Sequence, residues 1–169
     1  MTTTPYRRRS ARVLLVDGGG RVLLLRALLH RGDPARGHVW VTPGGGVEDG
    51  EALDVAASRE LLEEVGVEVP PASLGTPVAY VGGYAELSWA TGVFRDDFFY
   101  HRLGGGEVPI DVSGMEDRER GTHAGHRWWT VGELESTTET VLPLRLGPLL
   151  TDLLAGRVPA EPVELPWHH

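Results

Sequence analysis

Cysteine, lysine, asparagine and glutamine are all absent from this 169-residue chain. Without cysteine there is no disulfide, no thiolate zinc ligand and no cysteine nucleophile, so any metal must sit on oxygen or imidazole. Without lysine there is no Schiff-base amine and no phosphate-binding lysine of the P-loop kind. All sixteen basic residues are arginine, a bias that reads as codon usage in a GC-rich genome. Acidic residues outnumber them, and the net charge is −8. That balance disfavours loose binding to a nucleic-acid backbone and favours an acidic site that requires a cation. Long apolar runs are also missing. The basic stretch Tyr6-Arg7-Arg8-Arg9-Ser10 is followed only by Val13 to Val16 before Asp17, too little for a signal-peptide core. No run approaches the roughly 20 residues that cross a bilayer. The expected place is the cytoplasm, without membrane contact.

What is present is ordinary globular material, 41% hydrophobic and 24% charged, which excludes a disordered chain, a collagen-like repeat or a coiled coil. The length fits one domain over residues 1–169, with a core from about 11 to 155. A frayed N-terminus and a proline-containing tail, Pro159 to His169, flank that core. A homodimer is compatible with this size. Ala11 to Val16 and Arg21 to Arg26 are β-type runs around the turn Asp17-Gly18-Gly19-Gly20, a hairpin signature. His30 to Gly37 reads as loop and His38 to Val41 as a brief strand; Pro43-Gly44-Gly45-Gly46 then breaks the chain. Helical period runs from about Glu51 to Val65, with Gly66 at the C-cap position. Pro77 to Leu87 and Val93 to Leu103 are β-type, and Gly104 to Gly125 is a long polar loop. His126 to Trp129 reads as a last strand, and Val131 to Leu134 and Leu144 to Leu153 as helices.

The Glu51–Val65 helix carries the chemistry. With Glu60 at 0° and about 100° per residue, Glu64 falls at about 40° and Glu63 at about 300°. Three carboxylates thus share one arc, with small Ala56 and Ala57 beside Glu60. Val55, Ser58, Leu61, Leu62 and Val65 form the expected core face, and Leu53 falls outside it. Like charges on one arc repel, and a solvated acidic face is one reading of them. A cation offers the other, because oxygen ligands converging from one helix face suit Mg²⁺.

Gly45, five residues, Glu51, seven residues, then Arg59-Glu60-Leu61-Leu62-Glu63-Glu64-Val65-Gly66-Val67 fills every fixed position of a known signature. The chain resembles the Nudix hydrolases. Seven fixed residues match by chance at about 10⁻⁸ per start position, at roughly 7% usage per residue type. A preceding hairpin, the approach Trp40, Pro43, Gly44, Gly45, and the later Trp128-Trp129 strand extend the likeness from about Arg12 to Leu154. The resemblance implies an α+β fold, a Nudix-type α/β/α sandwich with a mixed sheet between helices. It implies metal-dependent hydrolysis of a diphosphate linkage in a nucleoside diphosphate bonded to another group. Nucleoside triphosphates, nucleotide sugars, ADP-ribose and dinucleoside polyphosphates all belong to that class. The chemistry is legible: metal ions neutralise the anionic substrate and acidify a bound water, and carboxylates hold the metal and accept the proton.

Carried over position by position, the resemblance implies that Glu60, Glu63, Glu64 and the Gly44 carbonyl hold Mg²⁺ or Mn²⁺. It implies that Arg59 and Glu51 form an ion pair shaping the site. Gly45 and Gly46 stand where a side chain would obstruct the close loop. The base is either Glu63 or a carboxylate of the late loop, where Glu116, Asp117 and Glu119 cluster; Glu119 is the first choice. Arg26 is the expected phosphate contact at the end of its strand. Trp40, Tyr84, Trp89 and Phe94 are the aromatics available to stack on a base, with Trp40 first among them. The expected partner is a small nucleotide-like substrate. The charge argues against a long RNA contact, though not against an RNA 5′ end. A catalytically silent nucleotide-binding regulator of the same fold is the alternative. Such proteins typically lose box carboxylates, and this chain keeps them all.

Overall fold

A computed structural model of the chain describes residues 6–105 and 108–168. Among the described residues, nine strands and five α-helices follow in the order β1 (Arg8–Val16), β2 (Val22–Leu28), β3 (His38–Val41), β4 (Gly44–Gly46), α1 (Leu53–Val65), α2 (Pro71–Leu74), β5 (Ala79–Glu86), β6 (Thr91–Arg102), α3 (Asp117–Arg120), β7 (His123–Trp129), α4 (Val131–Ser136), β8 (Val141–Leu142), α5 (Leu146–Leu154) and β9 (Val163–Glu164), with a 3-10 turn at Pro34–Arg36 between β2 and β3. A mixed sheet runs β8-β3-β2-β1-β6-β5-β9, with β4 added to β1 and β7 added to β2. The β1–β2 hairpin closes at Val16 opposite Val22, as the glycine turn requires. β1 lies parallel to β6 from Arg8 opposite Phe94 to Val16 opposite Arg102.

Alternation along β1 splits the core into two layers. Ala11, Val13 and Leu15 pack with Ala56, Ala57, Leu61 and Val65 of α1. Leu14 and Val16 pack with Leu146, Leu149, Leu150 and Leu153 of α5. The sheet therefore lies between α1 and α5, the helix–sheet–helix layering expected.

Several expected boundaries and faces change. Strand β1 starts at Arg8 rather than Ala11, because β6 offers it a parallel partner along its whole length. The expected chain break at Pro43 to Gly46 contains β4, whose Gly44 lies opposite Arg12 and Gly45 opposite Ala11. A Cβ at Gly44 would lie 2.4 Å from the Ala11 carbonyl oxygen, so this pairing admits only glycine there. The long polar segment after Gly104 holds α3, and β7 begins at His123 because His123 already pairs with Ala27. The tail lies along the sheet: Ala79 pairs with Val163 and Tyr80 with Glu164. The expected fraying at the extreme N-terminus concerns residues 1–5, outside the described residues.

The largest correction is the face of α1. Leu62 and Val55, expected in the core, are 50% and 44% exposed, whereas Glu60 and Glu64 are buried at 6% and 7%. The helix is rolled so that Ala56, Ala57, Leu61 and Val65 cover β1 while Glu60 and Glu64 turn toward β4. Leu53, at about 20° on the same scale, then falls inside the buried arc rather than outside it.

Gly66 ends α1 at φ 71°, its N–H donating to the Leu62 carbonyl, and a Cβ there would lie 2.8 Å from Asp111 Cβ. Gly66→Ala should therefore cost about 1–2 kcal/mol, seen as a melting temperature lower by a few degrees. An unchanged melting temperature would contradict this account of the helix end.

Candidate active site

The site is built where α1 crosses β4. Gly45 has no side chain because the Glu60 carboxyl occupies that space: a Cβ would lie 2.7 Å from its carboxyl carbon. The Gly44 N–H donates to Glu64 Oε2 at 2.8 Å. A strand of glycines thus lets two helix carboxylates approach the sheet backbone. Glu119, delivered by α3, joins them. One carboxylate oxygen from each of Glu60, Glu64 and Glu119 lies within 4.8 Å of the other two.

Glu63 is not in that group. Its Oε2 accepts from Arg59 Nη1 at 3.3 Å, with a third of its side chain exposed. Arg59 holds the frame together. Its Nε and Nη2 donate to the two oxygens of Glu51 at 2.8 and 2.9 Å, Nη1 donates to Glu60 Oε1 at 2.9 Å, and Nη2 also donates to the Gly46 carbonyl. The Arg59–Glu51 pair expected from the sequence is present, and it extends to Glu60. The Arg59 hydrogen bond holds the Glu51 carboxyl below its ordinary pKa, and the same bond raises that of Arg59.

Burial sets the electrostatics of this acidic group. Burial pushes Glu64 up to about 8, against the Gly44 N–H and Arg12, with Glu119 and Glu60 adding to the rise. Burial also raises Glu60, which Arg59 opposes. Glu60 Oε2 is buried without a hydrogen-bond partner among the described residues. An orphaned carboxylate oxygen, beside two further carboxylates with no room for a side chain at Gly45, fits a hard divalent cation on oxygen ligands.

Arg12 was not anticipated. Its Nε donates to Asp96 Oδ2 at 3.2 Å and Nη1 to the Thr42 carbonyl at 3.0 Å. Burial works against its charge, but Asp96, Glu64 and Glu60 hold its pKa above the ordinary value. Its position, one residue from Ala11 on β1, follows from strand alternation; its charge partners depend on a pairing between distant segments.

The acidic group lines a cavity of about 580 Å³ whose wall also carries Arg8, Arg12, Arg26, Arg31, Arg59 and His123. Gly44, Gly45, Gly46, Glu116 and Trp89 line it too. Arg26, expected as a phosphate contact, is there; its Nε is buried without a partner among the described residues, and its Nη2 meets His38 Nδ1 at 3.4 Å. Trp40 is not brought to the cavity. It is 7% exposed and packs edge-on against Trp129 at 5.1 Å within the α5-side core. Its alternation on β3 turns it inward, which correlates with core packing rather than stacking on a substrate. Phe94 is 8% exposed; Tyr84 is 58% exposed, donates to Glu86, and does not line the cavity.

The family model described as NUDIX domain matches residues 6–150 of this chain. The RNA pyrophosphohydrolase of Caulobacter vibrioides (strain NA1000 / CB15N) is 31% identical over 158 residues, covering 85% of this chain and 81% of that protein. The MutT protein from Methanosarcina mazei Go1 is similar in structure, with a TM-score of 0.62 at 20% identity over 92% of this chain and 98% of that one. The dihydroneopterin triphosphate pyrophosphohydrolase of E. coli gives 0.62 at 20% identity, over 91% of this chain and 99% of that one. These structures speak for the fold, and the family model and the curated relative speak for the chemistry. Among the described residues no helix is long and apolar enough to cross a membrane. Glu60 and Glu64 of the box share this cavity with Glu119, the family model and the curated relative replace the silent-regulator alternative with an enzyme, and this chain belongs to the Nudix family as a pyrophosphohydrolase.

Proposed function

We propose that this enzyme uses Mg²⁺ or Mn²⁺ to cleave a diphosphate linkage in the 5′-terminal phosphates of a nucleotide, and that its substrate is the 5′-triphosphorylated end of RNA. The observation that carries this reading is the convergence of Glu60, Glu64 and Glu119 at a cavity whose wall also carries Arg8, Arg12, Arg26, Arg31 and Arg59. Acids to hold a cation and arginines to hold phosphates are the two halves of a polyphosphate site. The RNA end is favoured because the curated relative aligned over most of this chain is an RNA pyrophosphohydrolase. A net charge of −8 confines contact to the first nucleotides, since a long RNA tract would meet like charge.

The residues divide the work. Glu60 and Glu64 hold the cation, with Gly44 fixing Glu64 and Arg59 fixing Glu60. A divalent ion bound there supplies charge neutralisation at the phosphates and a more acidic attacking water. Arg26 and Arg31, which line the same cavity, would hold the phosphates. Glu119 takes the proton from the water. It is less buried than Glu60 and Glu64, and its Oε2 is occupied by the Glu116 N–H at 3.1 Å, which leaves one oxygen for that task. Arg59 and Glu51 shape the loop without touching the reacting phosphorus. Glu63 stays on Arg59, outside the acidic group.

The test is chromatographic identification of the products formed from a 5′-triphosphorylated oligoribonucleotide, a nucleoside triphosphate, a nucleotide sugar, ADP-ribose and a dinucleoside polyphosphate. The RNA should be hydrolysed best with Mg²⁺ or Mn²⁺ and not in chelator. Glu64→Gln, which keeps size and removes a charge, should lose about 10²-fold or more in kcat. Undiminished turnover in chelator overturns the metal reading, and hydrolysis of another compound with RNA untouched overturns the substrate.

Glu119→Gln separates the base from the ligands. It should cut kcat by about 10²-fold and remove the acidic limb of the pH–rate profile, while the metal concentration for half-maximal rate stays nearly constant. A large rise in that concentration would make Glu119 a ligand instead, and a silent substitution would return the base to Glu63.

A further inference from the structure

Helix α3 is a single turn of four residues, Asp117–Arg120, too short to keep its shape by its own hydrogen bonds. Glu119 is delivered by that turn, so contacts outside the helix must fix it. The segment is seated on both sides. Before α3, the Asp111 N–H donates to the Val65 carbonyl at 2.8 Å. Gly114 lies so close to α1 that a Cβ there would come within 2.9 Å of the Glu63 carbonyl oxygen. Met115 is buried in the α1-side core. After α3, the Leu28 N–H donates to the Thr122 carbonyl at 2.8 Å.

Between these anchors the neighbours Glu119 and Arg120 go different ways. Glu119 joins Glu60 and Glu64 on the cavity wall. Arg120 is exposed and is not among the described residues that line the cavity. Its Nε donates to the Met115 carbonyl at 2.9 Å, and its Nη2 donates to the Ser113 carbonyl. The guanidinium thus ties the end of α3 back to the segment that leads into it. Two carbonyls two residues apart suit the rigid fork of an arginine. Inside the loop so closed, Glu119 Oε2 accepts from the Glu116 N–H at 3.1 Å, and the Thr122 hydroxyl donates to the Glu119 carbonyl at 3.1 Å. The Glu119 carboxylate therefore moves with the turn that Arg120 closes.

We propose that Arg120 is a positioning residue: by clasping the Ser113 and Met115 carbonyls it holds α3 in the place from which Glu119 meets Glu60 and Glu64. Its effect on turnover passes through Glu119 alone. The proposal rests on the reading of Glu119 as part of the reacting site.

The experiment measures kcat, KM and the metal concentration for half-maximal rate in wild type, Arg120→Ala, Arg120→Lys, Glu119→Gln and the double variant of Arg120→Ala with Glu119→Gln. The substrate is whichever compound of the set above wild type hydrolyses fastest. Arg120→Ala should lower kcat roughly 10- to 100-fold with KM nearly constant. Arg120→Lys, which can still donate to one carbonyl, should recover part of that loss. The double variant should be no slower than Glu119→Gln alone, because a residue that acts only through Glu119 has nothing further to remove. If both single variants instead raise the half-maximal metal concentration together, the clasp is upheld and Glu119 is a ligand rather than the base. Wild-type turnover in Arg120→Ala beside an impaired Glu119→Gln overturns the clasp and leaves the role of Glu119 standing. Losses that multiply in the double variant overturn it as well, since Arg120 then acts elsewhere. A silent Glu119→Gln overturns the reading of Glu119 and the proposal with it.

Discussion

Everything in this active site depends on two glutamates being buried side by side against a glycine strand. Carboxylates avoid burial unless paired, because the charged form loses its hydration. Glu60 and Glu64 are nevertheless 6% and 7% exposed, and Glu119 adds a third negative group within reach. The fold tolerates this through backbone shape and two arginines. Gly44 and Gly45 let α1 come close enough for a main-chain N–H to reach Glu64, Arg59 holds Glu60 from the helix side, and Arg12 faces Glu64 from the sheet. Neither arginine reaches Glu60 Oε2, which is left without a partner among the described residues. The unsatisfied part of the arrangement is the part that a cation and its substrate would complete.

The arginines differ in how far their partners within the fold commit them. Arg59 and Arg12 are committed: Arg59 holds Glu51, Glu60 and the Gly46 carbonyl, and Arg12 holds Asp96 and the Thr42 carbonyl. Arg26 and Arg31 face the cavity from β2 and the loop after it. A chain with no lysine can make this division work because a guanidinium carries five donors and can bridge several acceptors at once. Buried Asp97 repeats the device farther along the sheet, where Arg9 and Arg95 both donate to it.

The sequence made the box, the hairpin and the layer order readable, because each is a local pattern. Gly45, Glu51, Arg59, Glu60, Glu64 and Gly66 occupy their places for reasons visible in a spacing. The roll of α1 was not readable. Hydrophobic periodicity assigned Leu62 and Val55 to the core, since a helical wheel counts apolar residues and cannot know that the opposing strand is made of glycine. The same blindness hid β4 inside what looked like a chain break. Glu119 stands out in sequence only as one of three clustered late-loop carboxylates, and only α3 shows that it lies beside Glu60 and Glu64. Trp40 and Trp89 illustrate the limit best. Both are tryptophans near the site in sequence or space, and strand alternation turns one into the core while a hairpin tip leaves the other in the cavity.

The central claim is that the buried carboxylates exist to hold a cation. Burial raises the Glu64 pKa from its ordinary 4.5 to about 8. An acid bound more tightly to its proton in the folded chain stabilises the fold fully below about pH 4.5, and that contribution is lost as pH rises through about 8. Melting temperatures of wild type and Glu64→Gln at about pH 6 and about pH 8.5, with chelator and with saturating Mg²⁺, test this directly. In chelator the wild type should lose stability relative to Glu64→Gln as pH rises, and Mg²⁺ should restore wild type most at the higher pH while moving Glu64→Gln little. Parallel pH profiles in chelator, with a wild type that Mg²⁺ leaves unmoved, would contradict the account.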